Sequence, residues 1–210
     1  MLLPVGRGSG PKLLNFLLFH LGWLAAVEGA ARGSLWAGPA AFALACGVHL
    51  GWLVPRGERA AELRYLLGVG ALGLVLDSLV HTLGWILYPT SAWSLPTVPP
   101  WILSLWIGFA TLPRLSLGWL RGRPLLAALF GAIGGPLSFH FGTRLGAIAA
   151  GEPAWRTYAF LALEYGTLMP LMLAAAPRPG EAPVSAPEPG PEPGPGGAAA
   201  RPGSAGPSLG

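Results

Sequence analysis

Residues 65–88 read YLLGVGALGLVLDSLVHTLGWILY, an apolar run carrying one aspartate and one histidine. The run exceeds the ~20 residues that a helix needs to cross the ~30 Å hydrocarbon core of a bilayer. At about 100° per residue, Gly70, Gly73, Asp77, His81, Gly84 and Tyr88 fall within about 40° of the direction of Asp77. Leucine and valine take the other directions. An aspartate facing lipid at mid-depth would cost at least ~2.5–3.5 kcal/mol. The polar stripe must therefore face protein or a water-filled cavity.

Outward from this stretch, five more apolar segments meet the same length requirement: Leu13–Ala31, Leu35–Val54, Trp101–Trp119, Leu125–Ala150 and Trp155–Ala176. Together with Tyr65–Tyr88 they predict an all-α, polytopic membrane bundle of about six transmembrane helices. Composition agrees. Of the 210 residues, 52% are hydrophobic and 10% are charged, against about 25% charged in soluble domains. A surface so poor in charge suits lipid rather than water. The net charge of +4 is spread over short clusters between apolar runs. A nucleic-acid partner would need a continuous basic face, so the bilayer is the expected partner and nucleic acid is not.

The basic residues flanking the spans set an orientation. Arg7, Lys12, Arg56, Arg59, Arg64, Arg121, Arg123 and Arg178 lie on one side, Arg32 and Arg156 on the other. Eight against two places both termini in the cytoplasm, with residues 1–12 as a cytoplasmic segment and 13–176 as the membrane domain. The first span carries Asn15, His20 and Trp23 and is long for a cleaved leader, so it is read as retained. Trp52, Trp85 and Trp119 each follow a glycine near a span end, where amphipathic rings favour the interface. From Pro177 to Gly210, Pro and Gly supply 18 of 34 residues, which predicts a disordered tail. The lone cysteine, Cys46, supports neither an intrachain disulfide nor a CxxC site and is read as a small buried side chain.

The span 125–150 shows two faces. Gly131, Gly135, Ser138, Gly142 and Gly146 form a ridge of small residues, expected to pack closely on another helix. His140 and Arg144 lie nearly opposite, one turn apart. With one face packed and the other polar, this helix and the span 65–88 are expected at the bundle centre, and Pro136 is expected to kink the former. At about 1.5 Å per residue, Asp77 and His140 sit roughly 18 and 22 Å from the cytoplasmic ends, and His81 and Arg144 roughly 24 and 28 Å. Glu28 and Glu164 reach comparable depths. A polar cluster of Glu28, Asp77, His81, His140, Arg144 and Glu164 is therefore expected.

Three readings of that cluster stay open: an ion-pair network that fixes helix register, a proton- or substrate-binding cavity open to the outer side, and a metal site built from Asp77, His81 and His140. No HExxH-type spacing accompanies the last, and no cofactor motif is present, since the glycine runs do not follow strands. His20 and His49 stand alone on apolar helices and are read as hydrogen-bonded packing residues. Arg114, beside Pro113, is expected to snorkel to the interface. Ser78, Ser116 and Ser138 lack a Ser-His-Asp context.

Several motifs resemble a family of bacterial inner-membrane proteins known as domain of unknown function 2878. They are Asn15-Phe16 with Leu21-Gly22-Trp23, Leu76-Asp77-Ser78, Leu105-Trp106 to Phe109-Ala110-Thr111, Ser116-Leu117 with Trp119-Leu120, and Gly134-Gly135-Pro136-Leu137-Ser138. The resemblance runs from about Leu13 to Ala175. It implies a compact polytopic protein without an established activity, and a link to genes that modify membrane fatty acids. Two departures stand out. The family pattern has Gln where His20 stands, and a second Thr with an Asn-His pair before Ser116, where this chain reads Leu112-Pro113-Arg114-Leu115. The leading expectation is a membrane component that assists lipid or envelope modification, with a lipid-modifying protein as partner. A small proton-coupled transporter and an intramembrane metal-dependent enzyme are the alternatives.

Overall fold

The computed structural model describes residues 8–88 and 97–180. The 177–210 tail beyond residue 180 lies outside the described residues. Six α-helices follow one another in chain order: α1 Ser9–Ala31, α2 Ala37–Val48, α3 Arg59–Thr82, α4 Pro100–Phe109, α5 Pro124–Leu145 and α6 Trp155–Ala175. Two-residue strands β1 (Ile86–Leu87) and β2 (Ala149–Ala150) pair antiparallel and tie the end of α3 to the end of α5.

Helices α1, α3, α5 and α6 are long and apolar enough to cross a membrane. Helix α2 runs on through a wider π-type turn, His49–Leu53. The chain rises and falls between a basic end, carrying Arg56, Arg59, Arg121 and Arg123, and an opposite end. Trp52 and Trp119 are exposed towards the first, Trp36 and Trp155 towards the second, the positions interfacial indoles favour. Trp85 instead packs edge-on against Phe160.

The expected fourth span, Trp101–Trp119, is not one helix. Helix α4 covers only Pro100–Phe109, about 15 Å at 1.5 Å per residue. Consecutive turns and a 3-10 segment, Gly118–Leu120, complete the crossing. Pro113 explains the break, since it lacks an N–H and disfavours helical geometry at Leu112. Irregular backbone at membrane depth is stable only when protein encloses it. Accordingly, residues 110–115 are all buried.

This segment, not α5, holds the centre. Helix α4 packs against α1, α2 and α3, whereas α5 pairs chiefly with α6 and exposes Leu125, Leu129, Ile133 and Leu137. Two further spans end earlier than expected. Helix α3 stops at Thr82 and α5 at Leu145, each followed within two residues by a left-handed glycine, Gly84 (φ 73°) and Gly146 (φ 84°). Such a conformation suits glycine and turns the chain into the β1–β2 pair.

Candidate functional site

Along α1, Phe16, Phe19, His20 and Trp23 face α5 across a gap. The gap opens into a cavity of about 460 Å³. On the α5 side it is bordered by Phe130, Gly134, Leu137 and Phe141, and its floor is Trp106 of α4 and Tyr165 of α6. The rim residues Phe16, Phe130, Leu137 and Phe141 are exposed, whereas Trp106 is buried. The cavity therefore opens sideways, towards the lipid. Small residues make the room: a Cβ at Gly134 would meet nothing within 4 Å. One hydrogen bond bridges the gap, from Trp23 Nε1 to Ser138 Oγ at 3.0 Å.

Asp77 marks the inner limit of this cavity and also lines a second chamber of about 70 Å³, bordered by Tyr88, Trp101, Phe139 and Ile148. Its Oδ2 accepts a hydrogen bond from Trp106 Nε1 at 2.6 Å. The indole is held by stacking on Tyr165, with centroids 5.4 Å apart, and by Gly73, where any Cβ would collide with it. Glu164 of α6 is buried, lines neither cavity, and has no hydrogen-bond partner for either carboxylate oxygen among the described residues.

The expected six-residue cluster does not assemble. Asp77 lines both cavities and Glu164 neither, while Glu28 pairs with Arg32 on its own helix. His140 and Arg144 are exposed on α5, His140 lying 3.4 Å from the Tyr158 hydroxyl. His81 is half-buried, its Nδ1 2.9 Å from the Ile86 carbonyl. Asp77, His81 and His140 thus form no common site. Among the described residues no three His, Cys, Asp or Glu side chains are placed to hold a metal ion. The expected α5 ridge also divides. Gly131 and Gly135 pack on Tyr165, Gly142 packs on Ile148, Ser138 meets Trp23, and Gly146 caps the helix.

A second polar centre lies at the basic end. Arg114 does not snorkel; it is buried and bridges Glu58 and Glu62. Glu62 also lies 2.8 Å from Nε2 of buried His49. Nearby, Asn15 donates to Thr111 Oγ1 at 3.1 Å and accepts from the Ser116 hydroxyl at 2.6 Å. Arg121 donates to the carbonyls of Leu173, Ala176 and Pro177, satisfying the end of α6. These bonds enclose the irregular 110–117 segment and fix the cavity floor above it.

Sequence reasoning singled out neither the Trp106–Tyr165 floor nor Gly134 as a site, nor the links from His49 and Arg114 to Glu62. The visible signal was in the motifs quoted for the family resemblance, since Asn15, Trp106, Thr111, Ser116 and Gly134 all belong to them.

No curated protein and no solved structure matches the chain. The family described as "Protein of unknown function (DUF2878)" matches residues 12–171, which run from within α1 to within α6. The chain belongs to that family.

Proposed function

We propose that this protein receives a single-chain apolar molecule from the bilayer into its lateral cavity, acting as a binding component of lipid or envelope modification. The observation that carries the reading is the 460 Å³ aromatic cavity opening between α1 and α5 at membrane depth. Its size falls in the ~300–1,000 Å³ range of small-molecule sites. A flexible chain already dissolved in hydrocarbon enters such a space without crossing water, and aromatic walls give it more contact than fluid lipid does. The basic residues concentrated at one end favour a bacterial inner membrane with that end, and both termini, in the cytoplasm.

A proton-coupled carrier is the second reading. It draws on Asp77 lining both the large cavity and the smaller chamber, as a group on a pathway would.

The test of binding uses Gly134→Phe, which places a ring in open cavity space. Native mass spectrometry of protein released from its own membrane is expected to show a bound single-chain lipid in the unaltered protein and its loss in Gly134→Phe. The same bound species in both would contradict the reading. For the link to lipid modification, an unchanged fatty-acid composition in a deletion strain would count against it.

A further inference from the structure

We propose that the molecule held in the lateral cavity ends in a primary amine, and that Asp77 pairs with that end group as an ammonium. This rests on the lipid-binding reading and names the chemical class of its ligand.

The walls recognise a hydrocarbon chain, and one acidic group interrupts them. Among the described residues Asp77 is the one carboxylate lining the cavity, and it lines the adjoining 70 Å³ chamber as well. Glu164 lines neither and takes no part. No Lys or Arg borders either space. Among the described residues no basic side chain forms an ion pair with Asp77. His20, also on the cavity wall, has Nδ1 2.8 Å from the Phe16 carbonyl. Trp106 Nε1 engages only Oδ2 of Asp77. An isolated charge is costly to bury, and a partner of opposite sign offsets that cost. The site therefore lacks a cation, and a ligand can supply it.

The rings around Asp77 favour the same end group independently. Trp23 and Tyr165 line both spaces with it, Trp106 bonds to it, and the chamber adds Trp101 and Phe139. Aromatic faces carry partial negative charge and attract an ammonium group, whereas they repel a carboxylate or phosphate head. The chamber beyond Asp77 admits a head of a few atoms and excludes that of a glycerophospholipid.

The route selects an amine over a permanently charged head. Phe16, Phe130, Leu137 and Phe141 border the opening, so the ligand arrives through hydrocarbon, where a fixed charge is expensive to carry. An amine makes that passage as the uncharged free base. At Asp77 the carboxyl O–H bond breaks and an N–H bond forms, the proton passing to the amine nitrogen. Two neutral groups thereby become an ammonium–carboxylate pair inside the protein.

The experiment uses the full chain in phosphatidylcholine nanodiscs, whose net neutrality keeps the bilayer itself from concentrating cations. A diazirine-bearing long-chain alcohol labels the cavity, and hexadecylamine, hexadecanol, palmitate and hexadecane compete against it. Hexadecylamine is expected to compete at about tenfold lower concentration than hexadecanol, the size of one charge-assisted hydrogen bond. Asp77→Asn is expected to bring the two to parity. The competitor series on the unaltered protein decides the end group even where Asp77→Asn fails to assemble. Equal competition by hexadecylamine, hexadecanol and hexadecane would overturn the amine while leaving the cavity reading intact. A preference for palmitate would overturn the sign of the charge. An amine preference that survives in assembled Asp77→Asn would overturn the part given to Asp77. Labelling unaffected by every competitor, and unchanged in Gly134→Phe, would overturn both readings.

Discussion

Glu62 accepts from Arg114 through one oxygen and meets His49 through the other, with all three side chains buried. Removing one partner of such a set leaves charge without compensation, at a cost of about 3–5 kcal/mol. Glu62→Ala is therefore expected to lower the unfolding midpoint in detergent sharply or to prevent assembly. Replacing Glu62 and Arg114 together with methionine should recover part of that loss, because packed apolar groups need no compensation. Additive losses in the double variant would show that the two residues act separately. None of this was legible along the chain. Helical periodicity reveals partners three or four residues apart, whereas Arg114 reaches Glu62 across 52 positions and Asn15 reaches Thr111 across 96. That Asp77 turns inward was legible, because the cost of facing lipid requires it; that Trp106 meets it there was not.

Among the elements, α5 and α6 depend on closeness. A Cβ at Gly131 would collide with the Tyr165 carbonyl, which is backbone and cannot swing away. Gly131→Ala should push the pair apart and cost about 1–3 kcal/mol, while Gly134→Ala, three residues on and facing open space, should be near neutral. Thermal unfolding of the two variants side by side checks this, and equal behaviour would speak against the packing described. The ridge was legible as a run of small residues, but not its division between Tyr165, Ile148 and a helix cap, since spacing says nothing of what lies opposite. The broken crossing of α4 was hidden for a different reason. Hydropathy measures the cost of transfer to lipid and is blind to whether an apolar stretch is helical. Pro113 was the local sign, and the turns survive at depth because Asn15, Arg114 and Arg121 surround them with partners.

At the scale of the whole molecule, the proposed orientation puts the basic end and both termini in the cytoplasm. With Cys46→Ala as background, Trp52→Cys and Trp119→Cys should react with a membrane-impermeant maleimide only from the cytoplasmic face. Trp36→Cys and Trp155→Cys should react only from outside. Reversed labelling would invert the orientation without altering the fold. A polar cavity open to the outer side was among the sequence readings, but its lateral, aromatic form was not, because empty space is a property of how α1, α4, α5 and α6 meet and no single helix encodes it. The most direct measurement is photolabelling of the protein in nanodiscs by a diazirine-bearing long-chain alcohol, followed by peptide mapping. Lateral binding predicts adducts concentrated on Trp23, Trp106, Phe141 and Tyr165, absent in Gly134→Phe. Adducts spread evenly over outward-facing residues such as Leu125 and Leu163, and unaltered in Gly134→Phe, would contradict it.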